Sequence, residues 1–243
     1  MPFTPAHPAA VLPFLKCNKR FISITALVIG SMAPDFEYFF KMRVNSIYGH
    51  TTWGLLYFDV PATLLVALLF HLIIKTNLIE NLPSFFQLRF NTLLQFDFLG
   101  YLKMNWSAFL VSAYLGSVSH LFWDSFTHKN GFFIKHVPFF SLALPLEGEY
   151  PIFQALQHIS TVVGLIIVTA YIIRLKPDPS VKVARSRFAY WWIAILLTLI
   201  ILSIRFGLDQ AALNLGNLAA SFITAVACAL LINGFINFRR AST

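Results

Sequence analysis

The sequence predicts an all-α, polytopic membrane helical bundle, with five to six transmembrane helices and an N-terminal helical hairpin or re-entrant segment. Composition is the first reason: of 243 residues, 58% are hydrophobic and 12% charged, and the mean hydropathy is +0.71. Soluble domains carry about 25% charged residues. Second, several runs of about 20 residues are almost free of charge, the length needed to cross about 30 Å of hydrocarbon. Third, the net charge of +8 comes from Lys and Arg scattered over short loops. That distribution suits membrane topology and anionic headgroups, and no basic reading helix or nucleic-acid module is present.

At the N-terminus, MPFTPAHPAAVLPF lacks a basic region followed by an unbroken apolar core, so no cleaved signal peptide is expected and the mature chain should begin near Met1. Phe21–Phe40 is the weakest spanning candidate, because Pro34, Asp35 and Glu37 interrupt its second half. Gly54–Lys75, Trp106–Thr127, Phe153–Arg174, Phe188–Phe206 and Leu215–Phe238 read as spanning helices. Residues 1–175 form the expected site-bearing domain, and 176–243 a two-helix anchor continuous with it. Cys17 and Cys228 offer at most one bridge, and neither a disulfide framework nor a cysteine-type zinc site follows.

Loop charges set the expected orientation. Arg174, Lys176, Lys182, Arg185 and Arg187 face only Asp178 in one loop, which makes that loop cytoplasmic. Arg239 and Arg240 place the C-terminus on the same side. Thr76–Asn105 is then cytoplasmic, and its SFFQLRFNTLLQF stretch suits a helix lying on the inner leaflet. His128–Ile152 falls outside, with Trp53 and Trp123 near the outer interface as lipid-facing anchors.

On this topology the unusual residues gather at one depth. His50 precedes the Gly54 helix, His120, Asp124 and His128 end the Trp106 helix, and His158 opens the Phe153 helix. Steps of four residues keep His120, Asp124 and His128 on one helical stripe, spanning about 12 Å. One ion cannot hold all three at bonds near 2 Å. A shared central carboxylate suits two ions about 3.5–4 Å apart. Imidazole with carboxylate favours zinc, manganese or iron over calcium or magnesium. Polar groups near a helix end also commonly snorkel to water without binding anything, but ionisable residues inside a membrane default to function. His71, beside Lys75, and His136, in an external loop, are expected to be ordinary packing or surface histidines. Asp59, just before Pro61, either orients a histidine or satisfies backbone freed by the proline.

Within Gly30–Glu37, Pro34 disfavours helix at the residue before it, so a turn should present Asp35 and Glu37 to the site. Capping of a following helical turn is the alternative role for Asp35. His7 depends on the path between it and Asp35. If Phe21–Ala33 crosses from a cytoplasmic N-terminus, His7 lies on the far side; if the chain turns back at KCNKR, His7 and Asp35 emerge together.

PFTPAHPAAVLPF, GSMAPDFEYF, the His50–Thr51 pair and SHLFWDSFTHKNG together resemble a bacterial family described only as a domain of unknown function. That family is similar to the membrane-bound metal-dependent hydrolases, which combine an N-terminal His, a G-S-x-x-P-D motif and an H-x-x-x-D element near a helix end. The resemblance covers roughly residues 2–160. It implies that His7, Asp35, His50, His120 and Asp124 belong together, and favours the hairpin for His7. The H-x-x-x-D element also resembles that of zinc-dependent phospholipase C, by analogy.

The expected function is therefore a metal-dependent hydrolase of the bacterial inner membrane, acting on an ester or phosphoester, lipid included, at the outer interface. One or two divalent ions, zinc first, would be held by His7, Asp35, His50, His120, Asp124, His128 and His158. Asp35 and Asp124 are the catalytic carboxylates, with Glu37, Glu147 or Glu149 as proton shuttle. Lys129 and Lys135 are placed to meet an anionic headgroup. A transporter or metal-handling protein would need broken helices and paired repeats, and no repeat is visible; a structural membrane protein would use the cluster only to join helices.

Overall fold

The computed structural model describes residues 3–16, 18, 20–144, 150–180, 183–184, 188–209, 213–236 and 238. Cys17, Lys19, Glu147, Glu149, Lys182, Arg185, Arg187, Arg239 and Arg240 lie outside the described residues. The fold is all-α apart from a two-residue antiparallel ladder pairing Ala143 with Pro151 and Leu144 with Tyr150. Among the described residues, four helices are long and apolar enough to cross a membrane: Leu55–Asn81, Ile152–Arg174, Phe188–Leu208 and Leu215–Gly234. They fit a membrane protein.

Two expected spans take another form. The Trp106–Asp124 helix has 19 residues, but its serines and His120 dilute its apolar character, and it is not among those four. Phe21–Phe40 is broken instead of continuous. A helix at Ile24–Gly30, capped by Ser23 through Ala26 N, ends at Ser31; a 3-10 turn over Ala33–Asp35 follows, then a short helix at Phe36–Lys41. The break falls where Pro34 disfavours helix at the residue before it.

The chain divides into two compact units interleaved in sequence. The first holds Met1–Phe36, Ile47–Leu64 and Leu102–Arg174; the second holds Glu37–Ser46, Leu65–Tyr101 and Leu175–Thr243.

In the first unit, Trp106–Asp124 is the central helix, with Phe109, Ala113, Ser117 and His120 fully enclosed. Ile24–Gly30 packs on it through small residues. A Cβ on Gly30 would stand 2.5 Å from Ala113 O, and one on Gly116 2.5 Å from Leu27 O. Such contacts let helix backbones approach closely where burial alone supplies little drive. Two hydrogen bonds lock the crossing: Ser117 Oγ donates to Gly30 O (3.1 Å), and Ser23 N donates to Ser112 Oγ (2.8 Å). The N-terminal 3-10 helix Thr4–Ala10 lies along Ile152–Arg174, where Ala6 meets Gly164 and Phe3 N donates to Thr161 Oγ1 (3.0 Å). Leu55–Asn81 begins with a π-helical turn over Leu55–Asp59, immediately before Val60 and Pro61. The wider turn absorbs the hydrogen bond that proline cannot donate, and Asp59 is fully buried in it.

In the second unit, amides tie the helices together. Asn77 Nδ2 donates to Asn233 O (2.9 Å), Asn233 Nδ2 to Tyr190 O (2.9 Å) and Trp191 Nε1 to Asn81 O (3.0 Å). Arg205 and Arg43 both pair with Asp209. Ser84–Gln95 turns polar Gln87 and Asn91 inward while Phe85 is exposed. Gln87 Nε2 donates to Leu82 O and Ala184 O, and Asn91 Nδ2 to Asp178 Oδ2.

Candidate metal centre

Asp35, His50, His120, Asp124 and His7 meet inside the first unit. Asp35 leaves the 3-10 turn that Pro34 initiates and is fully buried. Thr4 Oγ1 donates to its Oδ2 at 2.5 Å, which leaves Oδ1 facing His50 and His120. His50 follows Gly49, which lies against the Pro34 carbonyl closely enough to exclude any side chain. The His50 side chain retains 22% exposure, so the cluster touches solvent there.

His120 and Asp124, one turn apart on the central helix, supply the middle of the cluster. His120 Nδ1 stands 2.8 Å from Ser31 O. A carbonyl only accepts, so Nδ1 carries a proton and Nε2 points inward to the carboxylates, the usual way a ligating histidine is oriented. His7 sits in the Thr4–Ala10 turn, 1% exposed, with its ring stacked on that of His120 at 3.7 Å.

Distances give the arrangement its meaning. His120 Nε2 lies 3.3 Å from Asp124 Oδ2 and 3.6 Å from Asp35 Oδ1; His50 Nε2 lies 3.4 Å from Asp35 Oδ1 and 3.6 Å from Asp124 Oδ2. Good N–H···O bonds are about 2.7–3.2 Å, so these four contacts are too long. Two ligands on a tetrahedral ion with bonds of about 2.0–2.2 Å stand about 3.3–3.6 Å apart, and four of the six edges of such a site have that length here. The other Asp124 oxygen, Oδ1, faces His7 Nε2 at 3.7 Å and His128 Nδ1 at 3.4 Å. Ligand atoms of His7, Asp35 and His120 lie within 4.8 Å of one another, as do those of His50, His120 and Asp124.

Unsatisfied polar atoms concentrate at the same point. Both His7 nitrogens, Asp35 Oδ1, His120 Nε2, both Asp124 oxygens and His128 Nε2 are buried without a hydrogen bond among the described residues. Each such atom costs about 1–3 kcal/mol if nothing meets it, and a native fold rarely gathers so many. A divalent cation is the partner that this donor set fits: imidazole and carboxylate lone pairs, converging, with net negative charge.

Burial and the neighbouring His120 push the His7 imidazole down to about 3. Burial also opposes charge on His50, yet the Asp124 and Asp35 carboxylates outweigh it and hold its pKa up at about 9. With protons alone, His50 therefore carries the positive charge between the two acids.

A family model described as a domain of unknown function, DUF4184, matches residues 1–235. The chain belongs to that family. No curated protein and no solved structure matches it. The matched DUF4184 region contains the whole cluster.

His7 and Asp35 come together, as the hairpin reading required. His128 borders the cluster, its side chain 29% exposed. His158 is not brought in: it is exposed, with its ring 6.4 Å from that of Tyr150. Six residues before Gly164, it points about 120° around the helix from the face that meets Ala6. Glu37 belongs to the second unit, where Lys41 Nζ (2.5 Å) and Ser46 Oγ (2.9 Å) hold its carboxylate. Trp123, expected to face lipid, is half-buried, with its ring centroid 5.8 Å from that of His7 in an edge-on arrangement. His71 stacks on Phe98 at 4.3 Å, and His136 is exposed beside Phe132.

Sequence reasoning missed two supporting groups. The Thr4 hydroxyl and the Ser31 carbonyl orient Asp35 and His120. Thr4 stands in the same TPAHP stretch as His7, and Ser31 in the same GSMAPD stretch as Asp35, so the signal was proximity to a ligand.

Proposed function

We propose that this DUF4184 chain is a metal-dependent hydrolase of the bacterial inner membrane, acting on an ester or phosphoester at the outer interface. The observation that carries it is the set of four His–Asp contacts at 3.3–3.6 Å, the edge length of a tetrahedral ion site. In this reading Trp106–Asp124 and the broken segment before it complete five or six crossings. The C-terminus is cytoplasmic, and the cluster opens through His50 to the outer side.

Asp35 Oδ1, His50, His120 and Asp124 Oδ2 would hold a first ion, with Thr4 and the Ser31 carbonyl fixing the orientation of two of these groups. Asp124 Oδ1 and His7 would offer a second position, bordered by His128, whose Nδ1 is turned to the Asp124 carbonyl. Zinc suits this set best, with manganese or iron as alternatives. A bound ion would polarise the scissile group and bring the pKa of water toward about 7. Hydrolysis would place water's hydroxyl on phosphorus or the acyl carbon and its proton on the departing oxygen. His128, part-exposed with a buried Nε2 free of hydrogen bonds among the described residues, is placed to move that proton. Lys129 and Lys135, both exposed, offer cations to an anionic group.

A second reading has one observation behind it. His7, Asp35 and His120 are at most 1% exposed, which also suits an ion that only clamps the N-terminal turn to the central helix, as in a metal-handling or structural membrane protein. Purified protein assayed against phospholipid and generic phosphoester substrates separates the two. Turnover that is lost in a chelator, restored by zinc or manganese, and absent from Asp124→Ala is the expected result. Full metal occupancy with no turnover on any ester would leave only the clamp.

A further inference from the structure

Beside the cluster, the first unit carries an apolar groove of about 730 Å³. Phe14, Phe122, Trp123, Phe126, Leu156 and Ile159 make most of its wall. That volume falls within the roughly 300–1,000 Å³ of small-molecule sites.

Helix geometry joins the groove to the ligands. At about 100° per residue, Ser119, Phe122 and Trp123 form one stripe of the helix, and Phe126 and Thr127 extend the groove wall from the turn after Asp124. His120, Asp124 and His128 form the stripe beside it. Trp123 and Thr127 stand on the boundary. The Trp123 ring is 5.8 Å from the His7 ring, and Thr127 Oγ1 is 3.3 Å from His128 Nδ1. Ala10, one 3-10 turn after His7, lines the groove from the other side.

Chemistry identifies the occupant. The opposite wall comes from Ile152–Arg174, one of the helices able to cross a membrane, and Ile159 is 57% exposed there. The medium facing such a wall is hydrocarbon. A peptide or a sugar would need hydrogen-bonding partners, and the groove's three hydroxyls are already engaged. Ser119 Oγ donates to Gly116 O (2.6 Å), Ser160 Oγ to Gln157 O (3.1 Å), and Thr127 Oγ1 contacts His128.

We propose that this groove holds a hydrocarbon chain of a bilayer lipid and brings the ester or phosphoester linkage next to the Trp123–Thr127 edge of the metal cluster. As a substrate site it rests on the hydrolase reading; as a chain-binding site it does not. The substrate class is thus a long-chain membrane lipid, entering sideways from the outer leaflet, and not a water-soluble ester.

The test uses full-length protein in phosphatidylglycerol–phosphatidylethanolamine vesicles containing a trace of phosphatidylglycerol with a photoactivatable diazirine in its acyl chain. Labelled residues are mapped by mass spectrometry, with and without prior chelation. The expected result is label on Phe122, Trp123 and Ile159 at least threefold above Leu196, Leu199 and Ile200, which are exposed on the Phe188–Leu208 helix. Chelation leaves that ratio intact, and Ser160→Phe, which fills the groove, removes the excess. Equal labelling of groove and comparison helix overturns the proposal, whatever the enzyme hydrolyses. A labelled groove with no metal-dependent turnover of any lipid keeps the chain site and removes the hydrolase. Where turnover is present, Ser160→Phe should lower the ratio of long-chain to short-chain turnover at least tenfold.

Discussion

Buried polar groups behave in opposite ways in the two units. In the second unit amides reach backbone carbonyls, Asn77 to Asn233, Asn233 to Tyr190, Gln87 to Leu82 and Ala184, and the buried charged groups are matched too, Glu37 by Lys41 and Ser46 and Lys75 by the Phe96 carbonyl. The unmatched atoms there, such as Tyr190 Oη and Asn233 Oδ1, are single neutral acceptors or donors. In the first unit they are titratable, they converge, and their inward lone pairs have no hydrogen-bond donor among the described residues. An amide that joins helices is satisfied by the helices. The cluster in the first unit has the contact lengths that shared coordination of an ion would give, longer than good hydrogen bonds.

Breaking the contrast at its centre has the largest expected effect. Asp124→Asn keeps the shape but removes the charge that two histidines and an ion share, so metal content should drop below one-tenth of wild type by elemental analysis, and any turnover with it. Retained metal at full occupancy would move the ligand set away from Asp124.

Thr4→Val comes next. It withdraws the hydrogen bond that aims Asp35 while leaving every ligand present, and loss of such a supporting contact typically weakens metal affinity about 10–100-fold. Competition with a chromophoric chelator measures it; unchanged affinity would make Thr4 a packing residue only.

Much of this was legible in the sequence, for identifiable reasons. His120 and Asp124 sit four residues apart on a helix, so their common face follows from geometry alone. Asp35 follows Pro34, and the proline imposes the break that exposes it. Depth along a helix, however, does not fix rotation about it. His158 shares the expected depth but points away, while Trp123 turns inward to His7. The place of His7 depended on whether the segment after it crosses the membrane or folds back; Lys16, Lys19 and Arg20 supported a crossing, and the family resemblance favoured the fold-back. Glu37 was drawn toward the site by its spacing from Asp35, yet Lys41 and Ser46 hold it.

Proton competition sharpens the comparison further. In metal-free protein His50 titrates near 9, above its ordinary 6.5. A raised folded value gives stability that is complete below about 6.5 and lost as pH rises through 9. His7, pushed down to about 3, works in the other direction: its contribution is present above 6.5 and lost as pH falls toward 3. Metal-free protein should therefore melt at lower temperature at pH 9.5 than at pH 6.5, and the ion should remove that difference, because it replaces the His50 proton. A melting profile identical in the two forms would show that His50 does not meet the ion.

The smallest effects should come from residues outside the cluster. His158→Ala should leave metal content and turnover within experimental error. Asn233→Leu should lower stability by about 0.6–1.7 kcal/mol, the scale of interhelical hydrogen bonds in membranes, without releasing metal. Metal loss in either variant would erase the distinction between the two kinds of polar burial.

X-ray absorption at the metal edge of protein purified without added chelator tests the central claim most directly. The account predicts nitrogen and oxygen ligands only, at about 2.0–2.2 Å, with an imidazole signature that disappears along with the metal in His120→Ala. Protein that purifies folded and metal-free, and takes up neither zinc, manganese nor iron on addition, would contradict it.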